Sequence, residues 1–402
     1  TTISSIFYSS CRSPFIIRTA NDMKLQTTRE ALVAPLQRVI GAVERKQIRP
    51  ILSHVLIRPA AQGVELLATD LEIELLSSAG AEVIEPSPCT LPARKLLDIV
   101  KALPAGSELT LEADQERGYV LAGRSRFELM ALPAEGFPEQ EALRHSTEVE
   151  VSASGLSDLL GRSAFAMAVE DVRYYLNGLL LEIRPEEVRS VATDGHRMAL
   201  VQLPMETGVG DLRQVLIPRK GVQELVRLTA SGDGMVRLEL AESQIRATVP
   251  VAGQEGEGEP GEGGHVRLAS KLIDARYPDY ERVLPGHLDK TLLVDRKALL
   301  EALQRVSILA NERLRGVRMT LSGTELVLQS QNVEHEQAQE ALDVDYDGAD
   351  MAIGFNVGYL VDALQALRSE VARIRLSDPG GSTLIEAPDD PNARYVVMPM
   401  RL

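Results

Sequence analysis

The chain contains no tryptophan, and aromatic residues make up only 4% of its 402 positions. Its cores must therefore be assembled from Leu, Val, Ile and Ala. There are two cysteines, Cys11 and Cys89. They exclude a disulfide framework and a cysteine-rich zinc site, and they fit a reducing compartment. No apolar run approaches the roughly 18 residues that mark a transmembrane helix. Positive charge is in deficit: 43 Lys and Arg stand against 58 Asp and Glu, a formal net charge of −15. As a total, that balance argues against a nucleic-acid partner. The six histidines show no metal-ligand spacing, and Glu334-His335-Glu336 reads as a solvated strand face. Acid is missing from one place: residues 1–22 are rich in Ser and Thr and carry Arg12 and Arg18, with no Asp or Glu before Asp22. A transit peptide, translated upstream sequence or an expression remnant has this composition. Met23 is the expected natural start, and 1–22 the expected disordered or non-native extension.

What is present is ordinary globular composition, 44% hydrophobic and 25% charged, in a chain long enough for two to four domains. It is built as a repeat. "MKLQTTREALVAPLQRVI" at 23–40, "EVEVSASGLSDLLGRSAFAMA" at 148–168 and "KTLLVDRKALLEALQRVSILA" at 290–310 each run from a short alternating stretch into a helical period. Thr27 or Thr28, Ser152 or Ser154, and Asp295 stand where a side chain caps the first turn. A second helix follows in each copy, in "LPARKLLDIVKALP" at 91–104, "IPRKGVQELVRL" at 217–228 and "GFNVGYLVDALQAL" at 354–367. Alternating runs between them predict antiparallel strands with one wet face. The expected fold is α+β. It has three similar domains, 23–147, 148–289 and 290–402, each with two helices on about eight antiparallel strands.

"LLATDLEIEL" at 66–75 and "SVATDGHRMAL" at 190–200 occupy the same place in successive copies. The shared Thr-Asp pair is expected to shape a strand end or turn, because Asp hydrogen-bonds its own backbone there. Asp194 beside His196 could act as a general base. However, no convincing nucleophile accompanies the pair, and Ser190 lacks a strained-elbow context. "GQEGEGEPGEGG" at 253–264 is acidic, with no Lys-Ser/Thr ending, so it is expected to be a flexible loop and not a phosphate cradle. Neither a metal nor a cofactor is expected.

The net charge hides a partition. The expected helices 28–46, 93–102, 154–168, 219–228, 295–309 and 356–368 carry fifteen Lys and Arg against eight Asp and Glu, leaving 28 against 50 elsewhere. Helices sharing one surface would attract a polyanion that the rest repels.

"DVRYYLNG" at 171–178, "VATDGHRMA" at 191–199, "IPRKGV" at 217–222, "SKLIDARYPDYERVLP" at 270–285, "GFNVGY" at 354–359 and the ending "YVVMPMRL" together resemble the bacterial sliding clamp, the beta subunit of DNA polymerase III. The resemblance runs from Met23 to Leu402 in one register. It implies a non-catalytic processivity factor in the cytoplasm, at the nucleoid during replication. Two subunits would join head to tail into a ring, with twelve helices facing duplex DNA and no sequence read. It implies no cofactor and no membrane. The partners it implies are the replicative polymerase alpha subunit, the clamp-loader delta subunit, and other polymerases and repair proteins, docked through short peptides.

The resemblance also assigns residues. The peptide pocket would take Arg173, Tyr175, Leu176, Thr193, Gly195, His196, Arg197, Met198, Pro278, Arg282 and Val283. Tyr359, Val396, Met398, Pro399, Met400 and Arg401 would complete it. Lys46, Arg94, Lys95, Tyr174, Tyr175, Arg219 and Lys220 would face DNA. Arg124, Arg126, Phe127 and Leu129 would meet Ile308, Leu309, Glu334, Glu336 and Glu340 of a second copy. The chain departs from the family at several of these places. Lys46 stands where Arg is familiar, Met198 for Leu, Glu170 for Gln, and Gln337 and Gln339 where acids are frequent; the acidic loop is a further departure. The alternatives from other classes are an enzyme using Asp194 and His196, and a DNA-binding protein that closes no ring. Retention on circular duplex DNA with release on linearisation separates the clamp from both.

Overall fold

A computed structural model gives the fold and describes residues 22–43, 49–141, 143–230, 233–251 and 264–401. The extension before Asp22, Lys46, and 253–263 of the acidic loop lie outside the described residues.

Six α-helices are present among the described residues: α1 (Arg29–Val39), α2 (Ala93–Ala102), α3 (Ala153–Gly161), α4 (Arg219–Thr229), α5 (Arg296–Val306) and α6 (Val357–Ala366). Each begins where a strand ends, the strands being Met23–Thr28, Cys89–Pro92, Thr147–Ser152, Arg213–Pro218, Lys290–Asp295 and Met351–Asn356. The expected caps are in place. Thr28, Ser152 and Asp295 accept from the amides of Ala31, Gly155 and Ala298 at 3.3, 3.1 and 2.7 Å, satisfying first-turn donors that have no partner within the helix. The helices pack in pairs, α1 on α2, α3 on α4 and α5 on α6.

The chain forms two compact units. In the first, residues 22–68 and 77–138, a five-stranded antiparallel sheet runs in the order Glu82–Glu85, Met23–Thr28, Glu108–Ala113, Arg117–Ala122, Ser125–Met130. The second unit, 69–76 and 139–401, holds the second and third copies together. Strand Arg197–Pro204 pairs antiparallel with Asp390–Val397, bringing Met198 opposite Val396. This pairing joins strands of both copies into one nine-stranded sheet. A separate four-stranded sheet runs Gln337–Asp343, Glu325–Gln331, Gly316–Ser322, Met351–Asn356.

Strands such as Gln244–Pro250 alternate buried and half-buried residues. Their inward side chains are the expected Leu, Val, Ile and Ala, with Tyr395 and Phe355 the largest fully buried exceptions. The expectation of one wet face fails at Gly178–Arg184 and Thr383–Ala387, where nearly every residue is buried. The segment after residue 272 covers the face that would be wet. Ile273, Ala275, Tyr277, Tyr280, Val283, Leu284 and Leu288 of that segment pack there with Leu180, Val191, Met198, Leu200, Leu216, Leu384 and Val396 of the sheet. A continuous apolar run such as "GLLLEI" is the pattern of a strand covered on both sides.

Candidate functional site

The two Thr-Asp stretches fold into the same turn. Thr193 donates to the Arg197 carbonyl at 2.6 Å and accepts from the Gly195 amide at 3.0 Å, while Asp194 Oδ1 accepts from the amides of His196 and Arg197 at 2.9 and 3.0 Å. Thr69 donates to the Ile73 carbonyl at 2.8 Å and accepts from the Leu71 amide at 3.0 Å, and Asp70 Oδ1 accepts from the amides of Glu72 and Ile73 at 2.9 and 2.8 Å. The aspartate's role is conformational, as its twin implied. Its second oxygen takes a cation in each copy: Arg197 at 3.1 Å for Asp194, and Lys220 for Asp70.

This turn brings together the residues around His196. The His196 ring is exposed and stacks on Tyr359, with centroids 6.4 Å apart. The His196 carbonyl accepts from the Met398 amide at 2.9 Å, and the Met400 amide reaches the Gly354 carbonyl at 2.8 Å, so the chain end is held beside the turn. Arg173 donates to both oxygens of Asp171, at 3.0 and 2.8 Å, and to the Asp194 carbonyl at 3.2 Å. Its guanidinium holds the Asp171 carboxyl down at about 2. Leu176, Met198 and Val396 are buried and form a floor. Tyr175 and Val283 pack half-buried against it. Pro278, Arg282 and Arg401 are exposed, Pro399 and Met400 half-buried, and Arg282 pairs with Asp279 at 2.9 Å. The surface thus offers an apolar floor, a polarisable thioether at Met398, and polar groups on its rim. Such a composition suits a short amphipathic ligand.

Arg197 differs from its expected role as a pocket-lining group. Its side chain is only 12% exposed, and its nitrogens are occupied by Asp194, by Asp362, and by the Phe165 carbonyl at 2.9 Å. Its guanidinium carbon lies 4.6 Å from the Tyr359 ring centroid and 5.2 Å from that of Phe165. It is a strut beneath the surface.

The DNA-facing candidates divide. Arg94 and Lys95 are exposed on α2, though Arg94 also donates to the Val43 carbonyl at 2.5 Å. Tyr174 is exposed, while Tyr175 turns to the floor described above. Arg219 and Lys220 are half-buried: Arg219 donates to the Met167 carbonyl at 3.0 Å and Lys220 pairs with Asp70. Glu170 stands in a left-handed conformation, φ 54°.

The expected interface residues lie on or beside the end strands of two sheets. Arg124 and Arg126 are exposed, with Arg126 over the Tyr119 ring at 4.6 Å. Phe127 is half-buried, but Leu129 is 8% exposed and Met130 is 70% exposed. Strand alternation sends Leu129 inward and Met130 outward. Ile308 is 77% exposed, Leu309 half-buried, and Glu334 exposed. Glu336 accepts from Asn332 at 2.6 Å. Glu340 is taken by Arg305 of its own chain, at 3.0 Å from Nε, which lowers the carboxyl's pKa. Sequence reasoning missed Arg305, Asp362, Asp171 and Tyr280. Only Arg305 had a signal, since α5 placed it one helical turn from Glu301.

Among the described residues no group of His, Cys, Asp and Glu could hold a metal ion, and no helix is long and apolar enough to cross a membrane. Three family models match in succession: the N-terminal domain of the DNA polymerase III beta subunit over 23–141, its central domain over 150–279 and its C-terminal domain over 281–401. The beta sliding clamp of Pseudomonas putida is 44% identical over 381 residues, covering 94% of this chain and all of that protein, and the Escherichia coli K12 clamp is 42% identical over the same coverage. The crystal structure of the Pseudomonas aeruginosa DNA polymerase III subunit beta, 44% identical, superposes with a TM-score of 0.87 over 94% of this chain and all of that one. The Caulobacter crescentus clamp, 36% identical, gives 0.88 over 96% of this chain and all of its own. The chain belongs to the DNA polymerase III beta subunit family, the beta sliding clamps, which are non-catalytic processivity factors of the replicative polymerase.

Proposed function

We propose that two copies of this chain close head to tail into a ring around duplex DNA, and that the surface around His196 docks short peptides of the polymerase alpha subunit, the loader delta subunit and other polymerases and repair proteins. The observation that carries the ring is a pair of sheet ends. Ser125–Met130 is the last strand of its five-stranded sheet, and Gln337–Asp343 is the last of its four-stranded sheet. Each presents a row of backbone donors and acceptors that pairs readily with another chain. Beside them stand Met130 and Ile308, two of the most exposed large apolar residues in the structure. Arg124 and Arg126 would face the acids Glu334 and Glu336 across such a junction. The basic helices, with Arg94, Lys95, Arg219 and Lys220, would face the DNA. A weak phosphate attraction of this kind suits sliding. The ring acts in the cytoplasm, at the nucleoid during replication.

Light scattering and loading on circular DNA test the reading. A native mass near twice the 43.9 kDa of one chain, with retention on nicked circular duplex and release on linearisation, is expected. A monomer that binds linear and circular DNA alike would overturn it.

A further inference from the structure

The stretch Pro278–Val283 adjoins the surface around His196 as a wall through Tyr280 and Val283, which pack in one cluster with Met198 and Val396, and its hold on the fold is narrow. Pro278, Asp279, Glu281 and Arg282 are exposed, and Val283 is half-buried. Only Tyr280, 6% exposed, is driven fully into the protein. Its hydroxyl donates to Glu182 at 2.9 Å and accepts from Arg189 at 2.8 Å. Glu182 is itself 1% exposed on its side chain. It also accepts from Gln214 at 2.7 Å and from Arg184 at 2.9 and 3.1 Å. Arg189 continues to Glu187 at 2.7 Å, and Glu187 accepts from Gln202 at 2.7 Å. Glu281 of the wall lies 3.7 Å from Arg189 and 4.0 Å from Arg184. One buried carboxylate thus laces the strands Arg213–Pro218, Gly178–Arg184 and Glu187–Thr193 together and ends on the phenol of the wall.

Both oxygens of Glu182 and the Tyr280 hydroxyl are partnered, while the Nε of Arg189 is buried without a partner. A buried polar centre of this kind specifies one geometry, because each further group left unpaired is costly. A 3-10 turn of four residues, Tyr280–Val283, has little stability of its own. We propose that Glu182 and Tyr280, with Arg189, are positioning residues for partner binding: through the phenol they hold Val283 and Arg282 in the register that a docked peptide meets. They touch no partner themselves. This inference rests on the surface around His196 being the peptide site.

The probe is a fluorescein-labelled short peptide with Leu and Phe anchors, measured by anisotropy against the full chain. The variants are Tyr280→Phe, Glu182→Gln, both together, and Val283→Asp as a direct block of the surface. Tyr280→Phe keeps its ring in the core and should weaken the peptide about three- to tenfold, a fraction of the worth of the two charge-assisted hydrogen bonds lost to Glu182 and from Arg189. The double variant should bind no worse than the weaker single one, because both break one link. In Tyr280→Phe, which leaves the Glu182 bridge between the strands intact, amide exchange should speed up over 279–284 and stay unchanged in strand Glu187–Thr193. If Val283→Asp abolishes binding while Tyr280→Phe and Glu182→Gln leave it at the wild-type value, the positioning role is overturned and the pocket stands. If Val283→Asp also binds normally, the pocket reading itself falls. Exchange that speeds up across the whole sheet would make the network merely structural and overturn the proposal.

Discussion

Leu71 and Gly195 hold the same place in two copies of one turn, and both have positive φ, 80° and 87°. A side chain is therefore tolerated there, at the strain a left-handed L-residue carries. At Gly195 a Cβ would also lie 2.8 Å from Nη1 of Arg173. Because that atom ends a flexible side chain, the clash can be relieved and the φ strain remains. Gly195→Ala should cost about 1 kcal/mol in urea denaturation and should loosen Arg173 from the Asp194 carbonyl. An unchanged midpoint would mean that the turn absorbs the methyl without strain.

The Arg173–Asp171 pair supplies a pH signature. The Asp171 carboxyl is held at about 2, below its ordinary 3.8, first by the hydrogen bonds from Arg173. A depressed carboxylate contributes stability above its unfolded pKa and loses it as pH falls through the folded one. The contribution is therefore present above about pH 4 and fades toward pH 2. In Arg173→Ala, a carboxyl titration followed by NMR should move up toward 3.8 without reaching it, because the amide of residue 173 still donates to Oδ1 at 2.8 Å. A midpoint still near 2 would assign the shift to the backbone amides alone.

Arg197 binds Asp194 and Asp362 at once and reaches the Phe165 carbonyl. Lysine keeps the charge but lacks the planar fork, so it can serve only one of these partners well. Arg197→Ala leaves two carboxylates without their cation. Asp362 is 38% exposed and is relieved by water, so the loss should be about 2–3 kcal/mol, below the full cost of breaking a buried pair. Arg197→Lys should recover part of it. Equal loss in both variants, measured by urea denaturation, would show that geometry alone matters.

Several of these relationships were legible in the sequence. The strand-to-helix repeat, the caps at Thr28, Ser152 and Asp295, and the turn shared by the two Thr-Asp stretches follow from local chemistry that acts within four residues. Others depend on which distant strands meet. Nothing around Arg197 predicts Asp362, which becomes its neighbour only because Arg197–Pro204 pairs with Asp390–Val397. Tyr280 lies in an exposed-looking "YPDYERV", and its burial against Glu182 needs the long segment after residue 272 to fold back over a sheet. The wet-face expectation failed for the same reason.

Strand alternation yields the last prediction, because it separates two neighbouring residues that a sequence reading groups together. Leu129 was expected at the apolar centre of a dimer, yet it is 8% exposed in a single chain and Met130 is 70% exposed. Leu129→Ala should therefore act as a core deletion, costing about 2–4 kcal/mol of stability, and should leave the associated mass of the folded protein unchanged. Ile308, 77% exposed, has the opposite character. Ile308→Asp should leave the single chain as stable as before, because the carboxylate stays in water. In a dimer it would place a charge in an apolar seam, where a desolvated and unpaired carboxylate is strongly disfavoured. Sedimentation equilibrium should then give one chain for Ile308→Asp and two for Leu129→Ala. If Ile308→Asp stays dimeric, the junction uses another surface, and the sheet ends at Ser125–Met130 and Gln337–Asp343 are not what closes the ring.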